Sequence, residues 1–149
     1  IVTVPIAAMI EKARARGIYS DLQVADLETA LAAGKQHYDL ILAANLIDRL
    51  HSPRKLLDNI HARIKPGGLL VITSPYTWLE EHTAREEWIG GFKRDGENFT
   101  TLDGLREILG KHFTLLGEPR AVPFVIRETR RKFQHTSAEM TIWERNTCA

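Results

Sequence analysis

Tyr76, Trp78, Glu80 and Glu81 place two aromatic rings and two carboxylates within six residues. Such rings stack on a planar substrate, and such carboxylates bind an amino group or take a proton. The same residues also describe a solvated acidic loop with one Trp in the core. Asn45, just after an apolar run, offers a donor and an acceptor, which suits orienting a neutral ring nitrogen, or it simply ends a strand. Asp26 closes another strand-like run, where it would face a ligand or cap the helix that follows. Arg127, Arg130, Arg131 and Lys132 form a basic cluster. Guanidinium groups clamp carboxylates through paired hydrogen bonds. Phosphate or nucleic-acid binding and a plain solvated face compete with that reading, and Arg127, between Ile126 and Glu128, suits a substrate carboxylate or a structural ion pair. The six His show no ligand spacing such as H-E-x-x-H, so no metal site is expected, and the single Cys, Cys148, is given no role.

These residues need a scaffold, and its pattern is alternating. Ile1 to Val4 reads as a strand; Met9, Ile10 and Ala13 follow at helical spacing up to Gly17. Leu22 to Ala25 reads as a second strand, and the Ala- and Leu-rich stretch from Leu27 to Ala33 as a short helix. Tyr38 to Ala44 is nearly all apolar, as strands covered on both faces are. Ser52 and Pro53 start a helix with a stripe of Leu56, Leu57, Ile60 and Ile64, expected to end near Lys65. Pro66-Gly67-Gly68 suits a type II turn into a strand from Leu69 to Thr73. Right-handed crossovers between parallel strands follow from this order. From Tyr76 to Phe99 the periodicity weakens, which suggests an excursion from the sheet. Thr100 with Asp103 three residues later marks a helix start before Leu102, Leu105, Ile108 and Leu109. Phe113 to Leu116 and Glu139 to Trp143 read as a closing antiparallel pair.

The chain has 149 residues, 44% hydrophobic and 26% charged, with 20 Lys+Arg against 19 Asp+Glu. That composition describes one globular domain and excludes disorder, collagen and coiled coil. A chain of this length buries roughly 68–70% of its unfolded surface, enough for a core without disulfides. A net charge of +1 argues against general affinity for nucleic acid, and no apolar run approaches a membrane span. A reducing, cytoplasmic setting is expected from the lone Cys. The charge is nonetheless segregated: Trp78 to Trp88 holds four acids and one Arg, and Arg120 to His135 five bases and one acid. The two segments could pair with each other or be separately solvated.

The strand Tyr38-Asp39-Leu40-Ile41-Leu42, then a helix, then Ile64-Lys65-Pro66-Gly67-Gly68-Leu69-Leu70, resembles the class I S-adenosylmethionine-dependent methyltransferases. In that family a "YDLI" strand edges the cofactor cleft and "LKPGG" precedes the next strand. A narrower resemblance runs from Tyr38 to Arg145. It is carried by Tyr38 to Leu50, by Thr73-Ser74-Pro75-Tyr76-Thr77-Trp78-Leu79-Glu80-Glu81, and by Val122 to Thr136. These stretches are similar to the C-terminal mercaptohistidine N-methyltransferase domain of ovothiol-biosynthesis proteins.

The resemblance implies a Rossmann-like α/β fold, with a mostly parallel sheet and a terminal antiparallel strand pair. It implies S-adenosylmethionine as cofactor and a small molecule, 5-mercaptohistidine, as methyl acceptor, with neither nucleic acid nor membrane as partner. An upstream sulfoxide-synthase-type oxidase domain is an implied fusion partner. Asp26, with Ala25 beside it, would accept from the adenine amino group; Asn45 and Leu46 would back the cofactor and face the methyl. Asn45, Tyr76 and Glu80 are then the candidate catalytic residues, and Tyr76, Trp78, Glu81 and Arg127 the candidate substrate-binding ones.

Two departures stand out. The Gly-rich loop after the family's first strand is absent, since the chain has no G-x-G, and the ribose-gripping acid would fall near Pro5. The chain therefore reads as residues 1–149 of a partial domain that lacks the first strand and binds cofactor poorly by itself.

Overall fold

The computed structural model describes residues 2–3, 7–23, 27, 30–31 and 34–147. It resolves into two units, Ile1–Gln36 and His37–Ala149. In the first unit, β1 (Val2–Thr3) pairs parallel with β2 (Leu22–Gln23), and α1 (Ala7–Ala15) lies between them in sequence. Ala25, Asp26 and Pro5, the expected adenine and ribose positions, lie outside the described residues, as does Cys148.

The second unit is built on a five-stranded sheet: β3 (Tyr38–Ala44), β4 (Ile64–Ser74), β9 (Phe133–Arg145) and β7 (Phe113–Leu115) in that order, with β8 (Arg120–Arg127) also on β9. Only β3 and β4 are parallel; β9 runs antiparallel to β4, β7 and β8. The expectation of a mostly parallel sheet is thus corrected: the sheet is mixed. The cause is the length of β9. Its thirteen residues pair along both sides, so one antiparallel strand supplies three of the four pairings.

The apolar stripe beginning at Pro53 forms α2 (Pro53–Asn59), shorter than the pattern suggests because the chain tightens into a 3₁₀ turn at Ile60–Arg63. The Pro-Gly-Gly stretch is not a connection before a strand but part of β4. The register passes from Tyr38 opposite Ile64 to Leu40 opposite Leu69, and this bulge contains Gly67 at φ +76°. Gly68 is needed there too, because a Cβ would meet Ile64 Cγ2 at 2.8 Å and the Lys65 carbonyl oxygen at 2.9 Å.

Within β4, Leu70, Ile72 and Ser74 are fully buried and the alternate residues only partly so. The buried face, with Trp143 from β9, packs against α2 and α3 (Thr101–Leu109). Ile47, Leu57, Ile60, Ile89, Leu105, Ile108 and Phe113 complete this core. Between β4 and α3 the chain makes the expected excursion. It contains a hairpin of β5 (Phe92–Arg94) and β6 (Glu97–Phe99). Asp95 and Gly96, at φ +52° and +85°, make the two-residue turn that matches strand twist.

Candidate active site

β3 and β4 run parallel and finish together, Ala44 opposite Thr73. In open α/β sheets ligands collect beyond such carboxyl ends. Directly after β3 the backbone turns left-handed at Asn45, φ +49°, a conformation an Asn tolerates better than most residues. Thr73 fixes this turn. Its carbonyl accepts from the Asn45 backbone N–H at 2.7 Å, and its hydroxyl donates to Asn45 Oδ1 at 3.2 Å. Oδ1 is thereby engaged, while Asn45 itself remains exposed at this edge. Ala44 beside it is exposed and small; Leu46 is half-buried against the core.

After β4 comes a second left-handed residue, Tyr76 at φ +55°. For a bulky aromatic this is a strained conformation, maintained only where surroundings over-determine it. They do so from two sides. The buried Ser74 hydroxyl accepts from the Tyr76 backbone N–H at 3.0 Å, and the Tyr76 hydroxyl donates to Glu139 Oε1 at 2.8 Å. Burial, then the hydrogen bond to Glu139 and its charge, push the phenol far above the ordinary tyrosine range. Tyr76 accordingly keeps its proton.

The next peptide is clamped by the 3₁₀ turn Ile47–Arg49. Asp48 Oδ2 accepts from the Thr77 N–H at 3.0 Å, and Arg49 Nη1 donates to the Thr77 carbonyl at 2.9 Å. Asp48 is fully buried, and its Oδ1 has no hydrogen-bond partner, so its position rests on the Oδ2 contacts. Asp48, Arg49, Thr73 and Glu139 are the site-building residues that sequence reasoning passed over. An acid in a short turn carries no pattern, and Glu139 is brought to Tyr76 only by a strand pairing 63 residues away.

The remaining expected residues divide. Trp78 is buried in the core, where Nε1 donates to Thr101 Oγ1 at 2.9 Å and its ring stacks on Trp88 at 6.3 Å between centroids. Glu80 and Glu81 are exposed; Glu81 Oε1 lies 3.3 Å from His82 Nε2. Arg127 sits opposite Phe133, six residues of β9 beyond Glu139, which faces Ser74. At ~3.3 Å per residue that is about 20 Å along the strand from the end of β4. The structure therefore brings Asn45, Tyr76 and Glu139 together at one edge, puts Trp78 beneath it, and puts Arg127 far out. Asp39, on the opposite half of β3, pairs with Lys65 at 2.8 Å, whose ammonium holds its carboxyl below the usual range. Among the described residues no group of His, Cys, Asp and Glu could hold a metal, and no helix is long and apolar enough to cross a membrane.

Comparison with known proteins places this edge in a family. Residues 5–112 match the model of a methyltransferase domain. No curated protein matches the sequence at a significant level. Solved structures resemble the fold at low identity. The N-methyltransferase NodS from Bradyrhizobium japonicum, in complex with S-adenosyl-L-homocysteine, aligns with TM-score 0.58 and 19% identity over 97% of this chain and 65% of that one. A protein solved in work on conversion of a disulfide bond into a thioacetal group during echinomycin biosynthesis gives 0.61 and 18%, over 93% and 61%. TehB from Haemophilus influenzae gives 0.58 and 13%, over 97% and 48%. The chain thus spans under two thirds of the length of these structures. With the family match covering most of its length, the chain belongs to the methyltransferase-domain family.

Proposed function

We propose that the protein is an S-adenosylmethionine-dependent methyltransferase acting on a small molecule, with an imidazole nitrogen of 5-mercaptohistidine as the acceptor. The observation that carries the reading is the pair of left-handed residues, Asn45 and Tyr76, at the joint carboxyl end of β3 and β4. The strained backbone of Tyr76, beside the left-handed Asn45, is the kind of feature that clusters at ligand sites. The residues there fit an adenosyl cofactor: Ala44 leaves the strand end uncrowded, and Asn45 presents an amide donor whose orientation Thr73 fixes. When bound, that cofactor supplies a methyl group on sulfur, open to attack by a nitrogen lone pair.

The chain's own part is alignment and proton control. Well-oriented reactants gain roughly 7–11 kcal/mol over free encounter, and no metal or covalent enzyme intermediate is needed. Asn45 orients. Tyr76 stays protonated and positions the loop through Glu139, so the proton lost by the acceptor goes to a carboxylate, for which Glu80 is the candidate, with Glu81 as a contact for a substrate amino group. The density of the likeness over Tyr38 to Leu50 and Thr73 to Glu81 supports the thiol-imidazole acceptor. A Gly-rich loop of the kind that family carries would complete the cofactor site, and these 149 residues contain no G-x-G.

Mass spectrometry of the full-length protein with S-adenosylmethionine and a panel of amines and thiol-imidazoles tests this. Methylation of 5-mercaptohistidine above the rest of the panel is the expected result. Transfer to a different amine would remove the substrate, and no transfer to any member would remove the activity.

A further inference from the structure

β8 and β9 continue beyond the end of β4 as a free two-stranded arm. Past the last β4 pair, Ser74 with Glu139, the register runs from Val122 opposite Ala138 to Arg127 opposite Phe133. A lone two-stranded ribbon is marginal in water unless something covers it. This one is also apolar on both faces: Val125 and Phe133 are each 60% exposed on one side, and Ile126 is 47% and Val122 36% exposed on the other. Its tip is built rather than loose. Glu128 N–H donates to the Lys132 carbonyl at 3.0 Å, Thr129 Oγ1 accepts from the Arg131 and Lys132 N–H groups, and Lys132 pairs with Glu128 at 2.5 Å. That turn leaves the side chains of Arg130 and Arg131 exposed, with no partner among the described residues.

The complementary surface is on the same chain. The segment from Trp78 to Trp88 carries Glu80, Glu81, Glu86 and Glu87 against Arg85 alone, net −3, while Arg120 to His135 is net +4. Among the described residues no ion pair joins the two segments, and Arg85 instead lies over the Trp88 ring at 5.7 Å. Both segments leave the sheet at the carboxyl end of β4, one directly after Ser74 and the other beyond Glu139 opposite it. Two copies related by a two-fold axis could therefore exchange arms reciprocally, each basic tip meeting the other's acidic segment.

We infer that the β8–β9 arm docks on the acidic segment Glu80–Glu87 of a second copy of this chain, forming an arm-exchanged homodimer. The six pairs beyond β4 make a ribbon about 20 Å long. The exposed Val and Ile side chains favour a protein partner over nucleic acid, which would use the arginines and leave those residues wet.

Sedimentation of the purified protein tests this directly. The expected result is the mass of two chains in about 50 mM salt, with the dissociation constant rising about tenfold or more in half-molar salt as the charges are screened. Arg130→Glu with Arg131→Glu, at an exposed tip, should give the mass of one chain with an unchanged circular dichroism spectrum. Glu86→Lys with Glu87→Lys should do the same, and combining all four changes should restore the dimer. A single-chain mass for the unaltered protein, a dimer indifferent to both charge reversals, or a single-chain protein whose arm instead retains RNA would each overturn the inference.

Discussion

At the scale of single residues, the site is an arrangement of backbone conformations rather than of unusual side chains. Tyr76 holds a left-handed turn because its hydroxyl reaches Glu139 and its N–H reaches Ser74. Tyr76→Phe leaves the half-buried Glu139 short of a donor and should cost about 1–2 kcal/mol in urea unfolding. The pH dependence has a definite sign. A phenol whose folded pKa is raised gives its full stabilisation below the ordinary tyrosine pKa, near 10, and loses it as the pH rises further, because the unfolded chain alone then sheds the proton. The Tyr76→Phe protein should therefore unfold less steeply than the parent above about pH 10. An equally steep alkaline loss in both would show that the hydroxyl is not held in this way. Asp48→Ala should cost about 2–3 kcal/mol, because the Thr77 N–H loses its charged acceptor. Asn45 and Tyr76 were legible in the sequence as chemistry-bearing types at strand ends. Asp48 and Glu139 were not, since what selects them is distance in space.

Elements were legible where apolar periodicity or a cap marks them. Tyr38–Ala44 is a strand over the residues its composition indicates, and Thr100 with Asp103 forms a capping box, each side chain bonding the other's backbone N–H. Thr100→Ala should destabilise α3 by about 1 kcal/mol, read from thermal unfolding. The Thr100 hydrogen bonds also hold the Asp103 carboxyl below its usual range, so the cap's contribution is present above the ordinary carboxylate pKa and lost as the pH falls through the lowered one. The Thr100→Ala protein should show less of that acid loss. Gly104 shows what patterns miss. Within α3 a Gly is costly, yet a Cβ there would collide with the Ile89 carbonyl oxygen, so the excursion lies directly on the helix backbone. Gly104→Ala, which raises helix propensity, should nevertheless destabilise by about 1–3 kcal/mol. The Asp95-Gly96 hairpin went unread inside the weakly periodic excursion, and so did the β8–β9 arm. Its residues are exposed on both faces, so burial imposes no alternation on them.

At the scale of the molecule, the alternation of strand and helix up to Thr73 indicated an α/β protein, and the family match agrees. What the pattern could not supply was the share of antiparallel pairing, because one long strand, β9, serves three neighbours and only its central part is apolar enough to read. The sheet places two left-handed strand ends side by side, and the proposed chemistry depends on a cofactor lying over them. The most direct measurement is a nuclear magnetic resonance titration of the full-length, isotope-labelled protein with S-adenosyl-L-homocysteine. Saturable shifts confined to Ala44 to Leu46 and Thr73 to Thr77 in this part of the protein are the result predicted here. Saturable binding that leaves those amides unmoved, or no binding, would contradict it.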